Sequence, residues 1–125
     1  MKIYESAEDY LERILMLNKS MGQVRAVDIA NLMNFSKPSV SIALKKLRQN
    51  GYVNIDGGGY ITLTESGLEI AERVFERHRL ISQLLMALGV DEQTAKEDAC
   101  RVEHDLSVES FEAIKEYCRK NLQIQ

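Results

Sequence analysis

AVDIANLMNFSKPSVSIALKKLRQNGYVNIDGGGYITL, residues 26–63, holds two short runs of helical periodicity, a turn between them and a pair of alternating stretches. Over Ala26 to Met33, the apolar residues Val27, Ile29, Ala30 and Leu32 recur as in a short helix. Asn34-Phe35-Ser36 reads as a turn. A third helix of the chain is expected over Lys37 to Asn50. Pro38 falls in its first turn, where a missing N–H is tolerated, Val40, Ala43, Leu44 and Leu47 make the buried stripe, and Gly51 closes it. Tyr52–Ile55 and Tyr60–Leu63 alternate like strands on either side of the turn Asp56-Gly57-Gly58-Gly59. Two short helices joined by a tight turn and followed by a hairpin describe a winged helix-turn-helix.

In that arrangement the second helix of the pair is the reader. The positions that escape its stripe are Ser36, Lys37, Ser39, Ser41, Lys45, Lys46 and Arg48, with Pro38 at the entry. Small hydroxyls near a helix N-terminus suit phosphates or base edges, and lysines suit phosphates. Arg25 stands just before the second helix. The wing tip, Gly58 with Tyr60, is slim enough to approach a minor groove. The bland alternative is a solvated Ser/Lys face on a protein-docking module, and the full helix–turn–helix–wing order weighs against it.

Outward from this stretch the chain is helical. Tyr10, Leu11, Ile14, Leu15 and Leu17 recur from Ser6 to a stop at Gly22. After the hairpin, Thr64 opens a long helix to about Leu88, with Gly89 as its stop. Asp91 caps a fifth helix running to Leu106, and Ser107 caps a sixth over Val108 to Asn121. The expectation is a mainly α protein with a winged helix-turn-helix over residues 1–64 and an all-α module over residues 65–125.

The net charge of −3 is unevenly divided. The first 64 residues sum to +2 and the remainder to −5, so a mildly basic half precedes an acidic one. A +2 module is a weak DNA binder alone, so a homodimer is expected on double-stranded DNA, with a palindromic operator. No run of about 18 apolar residues exists, which argues against a membrane span. The charged stretch MKIYESAEDYLERIL lacks the apolar core of a signal peptide. The expected compartment is therefore the cytoplasm, with Cys100 and Cys118 as free thiols.

Cys100, Glu103 and His104 are spaced i, i+3 and i+4, which puts a thiol, a carboxylate and an imidazole on one face of the expected fifth helix. These are transition-metal donors. One helix rarely closes a metal site, so further donors would have to come from other helices. His78 lies midway along the fourth helix, and Asp9 and Glu12 are i and i+3 on the first. Read singly, His78 is more often a packing residue, Asp9 imitates a capping box with Ser6, and Glu12 is a solvated charge.

The fragments AEDYLERILML, FSKPSVSIALKKL, GYITLTESG, ERHRLISQLL and DACRVEHDLS resemble the metal-dependent repressors typified by the diphtheria toxin repressor and the manganese transport regulators. The resemblance spans nearly the whole chain and implies metal contact by Asp9, Glu12, His78, Cys100, Glu103 and His104. It implies a regulator activated for operator binding by Mn2+ or Fe2+, with Zn2+ or Co2+ able to bind in vitro, and a repressor of metal-uptake genes. Manganese-type members share Asp9 and Glu12 but carry glutamate where Cys100 stands. Iron-type members share the cysteine but lack the Asp9/Glu12 pair. Their accessory site needs a carboxylate and a histidine where this chain has Ser82 and Lys96, so that site is not expected, nor is the third domain of the longer members. The donor set is thus a hybrid of the two types.

Two rival readings stand beside this one. A metal-independent winged-helix regulator answering a small organic ligand would use the six candidates as caps and surface charges. A hydrolytic metalloenzyme would need an open coordination position and a general base that is not itself a ligand. The sequence offers no HExxH and no phosphate-binding loop, so no enzyme activity is expected.

Overall fold

The computed structural model describes residues 5–124. It separates into two compact units, residues 1–72 and 73–125. The elements run α1 (Glu5–Met21), α2 (Ala26–Met33), α3 (Lys37–Gln49), β1 (Val53–Ile55), β2 (Ile61–Leu63), α4 (Glu65–Ala87), α5 (Glu92–Val102) and α6 (Val108–Tyr117). No described helix is long and apolar enough to cross a membrane.

In the first unit, Tyr10, Leu11, Ile14 and Leu15 of α1 are buried with Ile29 and Ala30 of α2 and Val40, Leu44 and Leu47 of α3. Val27 and Leu32 are largely exposed, so the stripe of α2 is narrower than its composition suggests. The α2–α3 turn closes because Asn34 takes a left-handed conformation at φ 57° and the Phe35 amide donates to Ala30 O at 3.1 Å. Ser36 then caps α3, its hydroxyl oxygen accepting from the Ser39 amide at 3.3 Å. Gly51, at φ 81°, turns the chain out of α3 into the hairpin.

The strands pair antiparallel in the register Val53↔Leu63, Asn54↔Thr62, Ile55↔Ile61, with Val53 and Ile61 facing the core. Asp56 organises the wing tip. One of its carboxylate oxygens accepts from the Gly58 and Tyr60 amides, both at 2.9 Å. That arrangement draws Tyr60 out of the strand and leaves β2 one residue shorter than the alternation predicts. The Ile61 amide donates to Val24 O at 2.7 Å, tying the hairpin to the segment before α2.

The start of α4 fits tightly against the end of α3. Thr64 donates through its hydroxyl to Gly51 O at 2.6 Å and through its amide to Tyr52 O at 3.0 Å. Gly67 lies against the Tyr52 backbone, where an added Cβ would overlap the carbonyl oxygen and stand 2.9 Å from the carbonyl carbon.

The second unit centres on Leu80, Phe111 and Cys118, with Leu84, Ile114, Leu122 and Ile124 packed against them. Asp91 and Ser107 cap α5 and α6 as expected, accepting from the Thr94 amide at 3.2 Å and the Ser110 amide at 3.0 Å. Two boundaries differ from expectation. The helix predicted to Leu106 ends at Val102, and residues 103–105 form a turn. The sixth helix stops at Tyr117 and finishes as a π-helical turn over Cys118–Leu122, closed by Gln123 at φ 55°. Leu88, at the end expected for the fourth helix, is 70% exposed.

Candidate metal centre and DNA-reading surface

α5 delivers Cys100 from its last turn, then stops. Glu103 is its C-cap residue, with the backbone still in the right-handed helical region, and His104 follows in the turn. The three candidates therefore occupy a helix end rather than one face of a continuing helix. Their donor atoms nevertheless lie within 4.8 Å of one another. His78 joins them from α4, its Nδ1 standing 3.3 Å from Glu103 Oε2, while His104 Nε2 lies 3.5 Å from Glu103 Oε1. The carboxylate of Glu103 is fully buried and sits between the two imidazoles.

This donor set fits a transition-metal ion. Bonds of about 2.1 Å to one ion put neighbouring donors about 3.0 Å apart at octahedral angles and about 3.4 Å apart at tetrahedral ones. The 3.3 and 3.5 Å separations fall at that spacing. Thiol, imidazole and carboxylate together suit Fe2+, Co2+ or Zn2+, and carboxylates draw the set towards Mn2+.

The loop holding Glu103 and His104 is fixed from behind. Arg77, next to His78 in α4 and 8% exposed, donates through Nη1 to Glu103 O at 2.9 Å and Leu106 O at 2.7 Å. Its guanidinium carbon lies 5.0 Å from the centre of the Phe111 ring. Sequence reading passed over this residue. The available signal was a second arginine beside a candidate ligand, which by itself reads as solvated charge.

Ser82 and Lys96 have other duties. The Ser82 hydroxyl donates to His78 O at 2.7 Å, and Lys96 pairs with Glu92 at 2.8 Å along α5. Cys118 is a free thiol in the core of the second unit, and burial raises its pKa. Asp9 and Glu12 belong to the first unit. Asp9 is half-buried, whereas Glu12 is fully buried with the Arg13 guanidinium 3.3 Å away. A buried carboxylate is costly without compensating charge, which sets Glu12 apart from the solvated charge its sequence context suggests.

On the first unit, Ser36, Lys37, Pro38, Ser39, Ser41, Lys45, Lys46 and Arg48 are all exposed. Ser41, Lys45 and Arg48 line an open groove of about 300 Å³ whose far wall includes Ile55 and Gly59 of the hairpin. Gly58 is exposed at the wing tip, and the Arg25 guanidinium stacks 4.5 Å from the Tyr60 ring centre, joining the entry of α2 to the wing. Ile42 also emerges on this face, 59% exposed. It lies off the Val40/Leu44/Leu47 stripe, so the sequence carried that signal.

Comparison with known proteins agrees with this geometry. Residues 2–59 match the N-terminal DNA-binding domain of the iron-dependent repressors, and residues 64–121 match their metal-binding and dimerisation domain. The chain is 41% identical over 118 residues to a helix-turn-helix transcriptional regulator of Methanocaldococcus jannaschii, covering 93% of this chain and 94% of that protein. It is 32% identical over 117 residues to the transcriptional regulator MntR of Escherichia coli, covering 94% of this chain and 76% of MntR. Among solved structures, the manganese regulator SloR superposes with a TM-score of 0.80 at 30% identity. That match covers 95% of this chain and 55% of SloR, so the chain spans about half of that larger protein. With both domain types present in order, the chain belongs to the iron-dependent repressor family of metal-dependent transcriptional regulators.

Proposed function

We propose that this chain is a homodimeric transcriptional repressor of metal-uptake genes whose operator binding is switched on by Mn2+ or Fe2+. The observation that carries the reading is the convergence of Cys100, Glu103 and His104 donor atoms within 4.8 Å, with His78 beside Glu103, in a chain that also carries an exposed reader helix. His78, Cys100, Glu103 and His104 would hold the ion. Asp9 and Glu12 are assigned as its remaining donors by their i, i+3 spacing and by the family resemblance, and the burial of Glu12 supports that assignment. A bound divalent cation supplies positive charge that turns repulsion among these carboxylates into attraction.

The residues of the reader do the rest. Lys37, Lys45, Lys46 and Arg25 serve phosphates, Ser39 and Ser41 serve phosphates or base edges, and Gly58 with Tyr60 carries the wing to the flanking groove. In a two-fold dimer the paired α3 helices would meet half-sites about 34 Å apart, one turn of duplex. No enzymatic role is assigned, because the titratable groups of the cluster are all spoken for as metal donors. Cytoplasmic residence follows from the DNA target.

The test begins with operator selection from random duplexes in Mn2+, followed by gel-shift titration in chelator, Mn2+ and Fe2+. A tenfold gain requires only about 1.4 kcal/mol of differential affinity between the two states. Operator affinity equal in chelator and metal would overturn the reading and favour a metal-independent regulator.

A further inference from the structure

The α5–α6 junction carries two of the candidate ligands yet is not regular structure. A helix end leaves backbone carbonyls without intrahelical partners, and such a turn is free to fray unless something else satisfies them. Here the Ala99 and Val102 carbonyls accept from the amides of Glu103 and Asp105, both at 3.0 Å. The next two carbonyls that matter, Glu103 O and Leu106 O, both accept from one atom, Arg77 Nη1. That guanidinium lies over the Phe111 ring, and the residue is nearly shielded from water.

We propose that Arg77 is the positioning residue of the metal centre: it grips the main chain of the 103–106 turn at both ends, so that Glu103 and His104 present their donors at coordination spacing before any ion arrives. The inference rests on the proposed metal-binding role of this cluster. Arg77 itself touches no metal, since its five N–H groups are donors only. Its neighbour His78 faces the side chain of Glu103 while Arg77 holds the main chain of the same residue. Successive helical residues point about 100° apart, so adjacent positions in α4 can reach two sides of one turn. Burial of the guanidinium is offset by two carbonyls at Nη1 and an aromatic face, while its Nε has no hydrogen-bond partner among the described residues. Outer-shell groups of this kind characteristically control metal affinity by about 10–100-fold.

The test uses the full chain with Co2+ as probe, read by its visible ligand-field bands and the thiolate-to-metal absorption. Arg77→Met removes both hydrogen bonds, and Arg77→Lys keeps charge and partial reach. Ile114→Ala, which trims the Leu80/Phe111 core without touching the turn, serves as a stability control. Arg77→Met is expected to lower Co2+ affinity about 10–100-fold and change the band positions, with Arg77→Lys intermediate. Ile114→Ala should melt earlier yet bind Co2+ like the wild type. Should Arg77→Met fail to fold, the Arg77→Lys comparison decides alone. Co2+ affinity within about twofold of wild type in the variants, or an equal loss in Ile114→Ala, overturns the positioning role. A wild-type chain that binds no Co2+ overturns the metal reading itself.

Discussion

Replacing Gly67 with alanine tests how tightly the wing is locked to the start of α4. Within a helix the change should help, since alanine is favoured over glycine by about 1 kcal/mol. The Gly67 φ is not in the left-handed region, so backbone strain does not argue for glycine there. Space does. The new methyl would overlap the Tyr52 carbonyl oxygen and stand 2.9 Å from its carbon and 3.3 Å from Cα. These are main-chain atoms that cannot swing aside. Moving them costs about 1–3 kcal/mol of overpacking and endangers the Thr64 amide bond to Tyr52 O, worth about 1 kcal/mol. Subtracting the propensity gain leaves a net loss of about 2 kcal/mol, and at about 4 °C per kcal/mol a fall in Tm of about 8 °C. Gly57→Ala is the matched control, because a Cβ there meets nothing within 4 Å. Both melts can be followed by circular dichroism. A Gly67→Ala Tm at or above wild type would refute the argument.

Four further outcomes are expected. Ser36→Ala removes the cap of α3 and should cost about 1 kcal/mol, seen as a lower Tm; an unchanged Tm would show the cap to be idle. Lys45→Ala and Lys46→Ala should weaken operator binding and each flatten the log affinity against log salt slope by about 1 per subunit, whereas an unaltered slope removes that lysine from the phosphate contacts. The hydrogen bonds from Thr94 hold the Asp91 carboxyl below its ordinary value of 3.8, so its capping contribution is complete above that value and fades as pH falls through the lowered one. Asp91→Asn, which caps without titrating, should therefore gain on wild type in acid; a Tm difference that is the same at neutral pH and in acid would count against this. Cys100→Glu replaces a soft donor by a hard one and should raise the ratio of Mn2+ to Zn2+ affinity, measured by competition titration, with an unchanged ratio excluding the thiol from the site.

The winged half was legible because its signals are local. Pro38 and Ser36 mark a helix entry, Gly51 an exit, and Asp56 followed by glycines a hairpin turn, and each needs only its near neighbours. Tyr60 was misjudged by one position for a reason visible only in three dimensions, the draw of the Asp56 carboxylate on its amide. The end of α5 was illegible for a deeper reason. Glu103 keeps helical dihedrals and its amide keeps its bond to Ala99 O, so nothing in the spacing announces a stop. Past Glu103 the ladder gives way to a tighter turn, the Asp105 amide donating to Val102 O, and Ser107 then caps the next helix, while Arg77 from 26 residues earlier holds Glu103 O. The π-helical close of α6 lies where Cys118 and Leu122 join the core around Leu80 and Phe111, contacts that neighbouring residues in the sequence do not announce.

That misreading bears on how the donor cluster works. Had α5 continued to Leu106, the thiol, carboxylate and imidazole would share one rigid face, and their separations would be fixed by helix geometry alone. Ending the helix at Val102 divides the labour. Cys100 stays on a regular turn, while Glu103 and His104 ride on a bend held by hydrogen bonds from Arg77 of α4. On the proposed metal-binding role of this cluster, the spacing of its donors then becomes adjustable through residues that bind nothing. The same division explains why residues spaced i, i+3 and i+4 still bring their donor atoms within 4.8 Å of one another although the scaffold is not the continuing helix that the spacing predicts. Helical dihedrals persist through Glu103, so the donors still gather on one side, even though the hydrogen-bond ladder beyond it is replaced by a turn whose ends Arg77 holds at Glu103 O and Leu106 O.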